Sequence, residues 1–226
     1  MSMQIRVHAR KLAGLATLAL AAVVITVAVG PSAFVVAADP AVATVIRVEE
    51  DWKLVLTEPD NIAESPQFHT IMAPSTRLDY VCLQSTWNYH ESPDYIPGGL
   101  QLQVWRGDDC VFAEGFLTSR LLSIQGETIT WTQALSTDGH FLRFEVLNGN
   151  SATWGTFGGS TMRLVGNIQV PSLNGYTPDM SMQNSGVTYG ANRVIVLAIT
   201  GVRYYGTEGL LYEDYTHRVV VAADAN

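Results

Sequence analysis

Aromatic side chains that lie close to amides are the residues of this sequence best suited to chemistry. Sugar rings present C–H faces that stack on Trp and Tyr, while their hydroxyls exchange hydrogen bonds with Asn and Gln. Both aromatic side chains also carry a polar group that can be satisfied at a wet surface. Three local groups offer the mixture: Trp87-Asn88-Tyr89, then Gln101, Gln103 and Trp105, and then Asn148, Asn150 and Trp154. These groups predict a glycan-binding surface.

The five tryptophans are not expected to share one role. Trp87 and Trp154 stand in Asn- or Gly-rich segments that are typical of surface loops, so we expect them to bind ligand. Trp52 and Trp131 have apolar neighbours and are expected in the core, where a Trp needs only one partner for its N–H group. Trp105 shares its strand face with Gln101 and Gln103, which leaves core and binding roles both open.

Carboxylates could support a glycosidase, which in its retaining form needs two carboxyl groups about 5 Å apart. On a strand this requires positions i and i+2 on one face or a cross-strand pair. We interpret Glu49-Glu50-Asp51, Asp108-Asp109 and Glu213-Asp214 as turn or strand-edge groups. Glu145 lies mid-strand two residues after Arg143, which predicts an exposed ion pair. The sequence therefore assigns no catalytic residue, and glycoside hydrolysis is the third hypothesis.

Metal-binding spacings are not evident. His69, His90, His140 and His217 are too scattered for the short spacings of a zinc site, so no metal ligand is assigned. The cofactor alternative is calcium, held by carboxylates and carbonyls around Asp94 or Asp108-Asp109.

The elements that must position these residues have the period of strands. Apolar and polar residues alternate at 100–105 and 142–146, and further strands are expected at 44–48, 53–57, 67–72, 77–84, 128–134, 162–170, 193–200 and 217–222. The segment 193–199 is apolar on both faces and should lie inside a sheet. Only 114–125 is compatible with a longer helix. The pattern predicts an all-β, two-sheet antiparallel jelly-roll sandwich.

The N-terminus has the order of a secretory signal peptide. Arg6, Arg10 and Lys11 precede an apolar or small-residue segment at 12–30, and Val36-Ala37-Ala38 offers small residues for cleavage after Ala38. We expect residues 1–38 to be the signal and 39–226 to form one domain that is secreted, periplasmic or on the cell surface. The alternative is an uncleaved anchor, because 19 residues at about 1.5 Å each nearly cross a bilayer core of about 30 Å.

Charge restricts the partners of the domain. Three of the 13 basic residues lie in the expected signal, so the remainder carries ten against all 21 acidic residues, a net charge of −11. Nucleic acid and anionic membranes are therefore excluded as expected partners, apart from membrane contact through an uncleaved N-terminal segment.

The chain contains two cysteines, Cys82 and Cys110. Export would allow them to form a disulfide, which is the expected state. The alternative is two buried free thiols.

Several stretches also resemble a known group of proteins. Residues 48–54 and 144–159, together with 184–187 and Tyr204-Tyr205, resemble exported, uncharacterised bacterial proteins of the planctomycete type. The likeness spans most of the chain after the signal. It implies a concanavalin-like jelly roll but brings no activity that can be assigned to particular residues.

These observations order the functional hypotheses. The leading one is an exported, non-catalytic, lectin-like module whose partner is a glycan or cell-surface polymer. The second is a structural subunit of an extracellular assembly, in which the terminal segments 43–48 and 218–223 would pair with neighbouring chains as exposed sheet edges.

Overall fold

A computed structural model of the protein describes residues 43–57, 67–87, 99–116, 122, 124–189 and 194–222. All of them belong to the compact unit Val42–Asn226. The expected signal peptide at 1–38 and its cleavage site lie outside the described residues. Within the described ranges, no helix has the length and apolar character needed to cross a membrane.

Strands dominate the described part of the chain. They are β1 (Arg47–Leu56), β2 (Gln67–Met72), β3 (Cys82–Trp87), β4 (Leu100–Arg106), β5 (Asp109–Phe116), β6 (Thr128–Thr137), β7 (Leu142–Ser151), β8 (Gly155–Phe157), β9 (Arg163–Gly166), β10 (Gly186–Tyr189), β11 (Val194–Gly206), β12 (Gly209–Asp214) and β13 (Arg218–Ala222). Helix α1 (Pro178–Asn184) precedes β10.

The strands form two antiparallel sheets. Sheet A has the order β12-β11-β1-β6-β7-β8, with β13 also paired to β11 and β9 to β7. Sheet B has the order β10-β2-β3-β4-β5. The chain alternates between the sheets, since β1 is in sheet A, β2 to β5 in sheet B, β6 to β9 in sheet A, and β10 in sheet B. The predicted all-β, two-sheet antiparallel sandwich of the jelly-roll class is confirmed.

Strand β1 lies between β11 and β6, and its residues alternate strictly between buried and half-buried positions. The interpretation of Glu49-Glu50-Asp51 as a turn or edge group is therefore wrong. Alternation directs Glu50 into the core and places Glu49 and Asp51 on the outer face of sheet A. For the same reason, the expected edge at 43–48 is not formed, because β1 has a hydrogen-bonded neighbour on each side.

The core between the sheets is built around aromatic rings. Trp52 and Trp131 are cross-strand partners whose rings stack with centroids 5.9 Å apart. Trp87 of sheet B packs on Trp131 at 4.3 Å and on Phe68 at 5.6 Å, and Trp154 joins the cluster 5.8 Å from Trp87. The core positions predicted for Trp52 and Trp131 are confirmed. Full burial of a side chain such as Phe68 contributes roughly 1.5–3 kcal/mol relative to its exposure.

Glu50 lies in this core with no exposed surface. Its Oε2 accepts hydrogen bonds from Trp52 Nε1 at 2.9 Å and Gln133 Nε2 at 2.8 Å. Its Oε1 accepts one from the Tyr176 hydroxyl at 2.6 Å and another from the Ser181 hydroxyl. Burial raises the pKa of Glu50, and the four hydrogen bonds oppose that shift. The carboxyl group thus ties the loop before α1, and α1 itself, to sheet A.

The hydrogen bonds continue across to sheet B. Gln133 Oε1 accepts from the Thr70 hydroxyl at 2.7 Å and from Trp131 Nε1 at 3.4 Å. Thr70 and Ser85 hydroxyls lie 2.5 Å apart, and Ser85 Oγ accepts from Trp87 Nε1 at 2.6 Å. Gln133 therefore joins the two sheets through hydrogen bonds between buried side chains. These bonds give the polar side chains of the core the partners that buried polar groups need.

Other local expectations are corrected by the structure. The stretch 114–125 is not a helix where it is described, because residues 114–116 belong to β5. The helix is Pro178–Asn184, whose Thr177 N-cap accepts a hydrogen bond from the Asp179 amide and whose first turn contains Pro178. Strand β11 lies inside sheet A as expected, although Ile195 remains 36% exposed.

The predicted Cys82–Cys110 disulfide is not formed, and both cysteines are free. Trp105 of β4 is paired with Cys82 on one side and Cys110 on the other, so a whole strand separates the two thiols. Two strand spacings correspond to about 9.6 Å between Cα atoms, beyond the roughly 7 Å that a disulfide can span. Cys82 is buried, whereas Cys110 is exposed. The alternative of two buried free thiols is therefore correct for Cys82 and wrong for Cys110.

We predict that Glu50→Gln preserves or increases stability at neutral pH. The Gln carbonyl can accept from Trp52 and Gln133, while its NH₂ group donates to the hydroxyls of Tyr176 and Ser181. The folded-state pKa of Glu50 is raised, so its contribution to stability is complete below the ordinary value of about 4.5 and is lost as pH rises through the folded-state pKa. In urea unfolding, the stability advantage of Glu50→Gln should grow with pH over that window.

Two variants control this experiment. Glu50→Ala leaves buried donors unpaired and creates a cavity, so it should lose about 3 kcal/mol or more. Glu208→Gln removes an exposed charge from the β11–β12 turn and should change neither the stability nor its pH dependence. An Ala variant as stable as the parent, or a Gln variant whose advantage does not change with pH, would contradict the role given to Glu50.

We predict two reactive thiols per chain in denaturant without reductant. In the folded protein, Cys110 should react rapidly with a thiol reagent because it is exposed. Cys82 should react slowly, because burial raises its pKa to about 11 and thiolate is the reactive form. The Cys110→Ser variant should lose only the rapid phase. Fewer than two thiols in the denatured parent would contradict the strand register.

Candidate functional site

The outer face of sheet B contains a pocket of about 440 Å³ between β4 and β5. We call it the β4–β5 pocket, and the residues that line it are Gln101, Gln103, Trp105, Asp108, Asp109, Cys110 and Ala113. On β4 these residues alternate with Leu100, Leu102 and Val104, which face the core. The structure thus brings together one of the three groups selected from the sequence and adds the acidic turn beside it.

A tight hairpin positions the two sides of the pocket. Arg106 pairs with Asp109, so Gly107-Asp108 forms the turn, and Gly107 has the positive φ of +59° that glycine adopts without strain. The register shifts next to Trp105, which pairs with Cys110 while Val104 pairs with Phe112. This bulge places the acidic turn next to the indole ring.

A chain of side-chain hydrogen bonds orients the two glutamines. Trp105 Nε1 donates to Gln103 Oε1 at 3.0 Å, and the Thr86 hydroxyl donates to the same oxygen at 3.4 Å. Gln103 Nε2 then donates to Gln101 Oε1 at 2.6 Å. An indole N–H can only donate, so it fixes which end of Gln103 is the carbonyl, and Gln103 fixes the orientation of Gln101 in turn.

Gln101 lines the pocket, and its NH₂ group is the free end of this chain of hydrogen bonds. Gln101 is only 4% exposed, yet its Nε2 donates to no acceptor in the described part of the chain. A buried donor without a partner costs roughly 1–3 kcal/mol, which a bound water or ligand oxygen would recover. The pocket therefore offers hydrogen-bond donation beside an aromatic ring that is itself only partly buried.

The charged side chains in the pocket are acidic. Asp108 and Asp109 are both exposed at the turn, and neither forms an ion pair with any described residue. Among the described residues that line the pocket, none is Lys or Arg. A ligand thus meets hydrogen-bond acceptors at one end and amide donors at the other.

The remaining predicted site residues lie elsewhere. Trp87 and Trp154 are 0% and 5% exposed and pack in the core, so their expected surface positions are wrong. Gln101 and Gln103 do line the pocket, but both are buried, whereas alternation predicts that they are exposed on the polar face of β4. Asn148 and Asn150 are exposed on the outer face of sheet A, opposite Thr132 and Thr130, and thus lie on a different sheet from the pocket. Asn88 and Tyr89 lie outside the described residues.

A recurring spacing in the sequence identifies the hydrogen-bond partner of four of the five tryptophans. Trp52, Trp87 and Trp105 each donate their N–H to the polar residue two positions earlier, and Trp131 donates to Gln133 two positions later. Residues i and i+2 of a strand face the same side. A polar residue two positions from a Trp therefore has two possible explanations. It can be the buried hydrogen-bond partner of the indole, or it can mark a strand face that is exposed to solvent.

The outer face of sheet A is a second polar surface, but its carboxylates are engaged. Asp51 forms a bidentate pair with Arg203, with one N–O distance of 2.9 Å, and Glu49 accepts from Arg203 Nε at 3.1 Å. Glu49 and Glu145 also pair with Arg47 at 2.8 and 3.3 Å. The hydrogen bond from Arg203 to Asp51 is the main cause of the raised pKa of Arg203.

The expected pairing of Glu145 with Arg143 is replaced by other partners. Glu145 bonds to Arg47 of β1, and Arg143 pairs with Asp138 at 2.6 Å. Both ion pairs are partly exposed, so each contributes little to stability.

Metal ligands do not cluster in the described ranges, where no group of three His, Cys, Asp or Glu side chains could hold an ion. The Asp108-Asp109 position considered for calcium therefore has two carboxylates and no third such ligand among those residues. Asp94, the other position considered, lies outside them.

Comparisons with known proteins identify no family. No protein-family model matches the sequence, and no curated protein matches it. Among solved structures, the chain is similar to peanut lectin with a nine-residue peptide, at 8% sequence identity and a TM-score of 0.36, over 80% of this chain and 72% of that one. The assignment of the sandwich rests on the strand pairing described above.

Proposed function

We propose that the protein is an exported, non-catalytic glycan-binding module that binds sugar rings in the β4–β5 pocket. The observation that carries the proposal is the buried NH₂ group of Gln101 beside the partly exposed ring of Trp105. Export is supported by the N-terminal signal pattern alone, because the free cysteines no longer argue for an oxidising compartment.

The pocket has complementary groups for each part of a sugar. The C–H face of a ring can stack on Trp105, whose N–H is already bonded to Gln103. One hydroxyl of a bound oligosaccharide can accept from Gln101 Nε2, while a second hydroxyl, at the other end of the pocket, can donate to Asp108 or Asp109. Such a hydroxyl acts as donor and acceptor together, which matches the mixture of amide and carboxylate groups in the pocket.

We predict that Trp105→Ala weakens glycan binding by at least about tenfold, the factor that corresponds to 1.4 kcal/mol. The loss combines buried apolar area with the roughly 0.5–1.5 kcal/mol of favourable ring geometry. Gln101→Met should cause a similar loss, because it preserves the length of the side chain but removes the donor, and with it the acceptor of Gln103 Nε2. Affinities would be measured by calorimetry with oligosaccharides first selected on a glycan array.

The matched control is Phe112→Ala on the same hairpin. Phe112 is 51% exposed and lines a different groove, with Val104 and Ile168, so its truncation should leave glycan affinity unchanged. Thermal melting of each variant separates lost binding from lost folding. Absence of binding to every glycan, or unchanged affinity in both pocket variants, would refute the proposal.

A second candidate function is self-assembly through the edge of sheet A. Strand β12 is an edge strand, and Leu210, Leu211 and Tyr212 on it are 52%, 42% and 60% exposed. Strand β13, near the expected C-terminal edge, pairs with β11 and carries Val219 at 43% exposure. Apolar edge strands of this kind pair with a second copy unless charge prevents it.

We predict a concentration-dependent dimer in sedimentation velocity if this edge assembles. Leu211→Lys should shift the protein to monomer, because a charge on an edge strand opposes pairing. Val165→Lys, which changes an exposed valine on β9, should leave the distribution unchanged. A parent protein that stays monomeric at millimolar concentration would exclude self-assembly through this edge.

A further inference from the structure

We infer that the β4–β5 pocket selects sugars that carry a free amine, with the ammonium group bound by Asp108 and Asp109. This inference names the ligand class of the site and rests on the proposed function. It begins from the placement of two unpaired carboxylates at one end of a pocket whose floor contains a buried amide donor without a partner among the described residues.

The hydrogen-bond capacities of the pocket divide between two kinds of ligand group. Gln101 Nε2 can only donate, so it requires a ligand oxygen such as a hydroxyl. Asp108 and Asp109 can only accept when ionised, and an ammonium group supplies three donors. An oligosaccharide that places a hydroxyl of one ring at Gln101 and the amine of another ring at the acidic turn therefore satisfies both ends of the pocket.

Charge distinguishes this class from other glycans. Neither aspartate forms an ion pair with a described residue, although Arg106 is the cross-strand partner of Asp109, and the protein carries a formal net charge of −8. Hydrogen bonds between charged partners are roughly twice as strong as neutral ones. A uronic acid would instead bring a carboxylate close to two others, and like charges at such distances repel.

The aromatic wall favours the same ligand. The partly buried ring of Trp105 lies beside the acidic turn, because its cross-strand partner is Cys110 and the turn follows directly after Arg106. A cation close to an indole face is attracted by the ring quadrupole. The amine can thus contact a carboxylate and the ring together, while N-acetylation would remove its charge.

The test compares three oligosaccharides by calorimetry with the full chain. The probes are a β-1,4-linked tetramer of glucosamine, its fully N-acetylated form and a tetramer of galacturonic acid. The titrations are run at about pH 5.5, where an amine carries its proton. We expect the amine-bearing tetramer to bind at least about tenfold more tightly than the N-acetylated one, and the preference to fall in about 1 M salt.

Paired variants assign the preference to the turn. Asp108→Asn combined with Asp109→Asn should abolish the preference while retaining the weaker binding of the N-acetylated tetramer. The matched control, Glu208→Gln combined with Glu213→Gln, removes two exposed charges from the β11–β12 hairpin and should preserve it. Thermal melting confirms that both double variants are folded.

The outcomes separate this inference from the proposed function. If the N-acetylated tetramer or the uronic acid binds as tightly as the amine, or if the aspartate variant keeps the preference, the inference is overturned and glycan binding stands. If none of the tetramers binds and no glycan on the array binds, both fail.

Discussion

The fold depends on a buried hydrogen-bond network centred on the side chain of Glu50, which has no cationic partner among the described residues. Glu50 is surrounded by neutral donors, and its burial is tolerable only while all four hydrogen bonds are kept. Those bonds reach the neighbouring strand β6 and the segment leading into α1. Gln133 then extends the network to Thr70 of sheet B. A slip of one residue in β1 would put Glu49 and Asp51 in the core and break their ion pairs, so the network specifies the register.

The same arrangement of an indole and a polar partner two residues away produces different results on the two sides of sheet B. On the inner face, Trp87 and Ser85 are enclosed by the opposite sheet, and the pair becomes part of the core. On the outer face, Trp105 and Gln103 have no opposing sheet, and the ring remains partly exposed. Gln103 uses its carbonyl for the Trp105 N–H and its NH₂ group for Gln101 Oε1. The amide group left without a described partner is therefore the NH₂ group of Gln101. The same device that fills the core thus leaves a polar group without a described partner on the outer face of sheet B.

Much of the fold can be predicted from the alternation of apolar and polar residues. The alternating segments 100–105 and 142–146 correspond to β4 and β7. The sequence does not predict the edge strands β5 and β12, because an exposed strand has no buried face to produce alternation. For the site, composition identified Gln101, Gln103 and Trp105, but it could not separate them from Trp87 and Trp154. That separation depends on which sheet faces which, and such contacts join residues far apart in sequence.

The two outer faces differ in how their polar groups are satisfied, and this difference favours sheet B as the binding surface. On sheet A, Arg203 and Arg47 occupy Glu49, Asp51 and Glu145, so a ligand would have to break ion pairs before making its own contacts. In the β4–β5 pocket, the Gln101 donor and the acidic turn have no described protein partner to lose. Binding there exchanges water for ligand groups, which is the less costly replacement. Polar residues are abundant on both faces, and the site is expected where their hydrogen-bonding capacity is still unused.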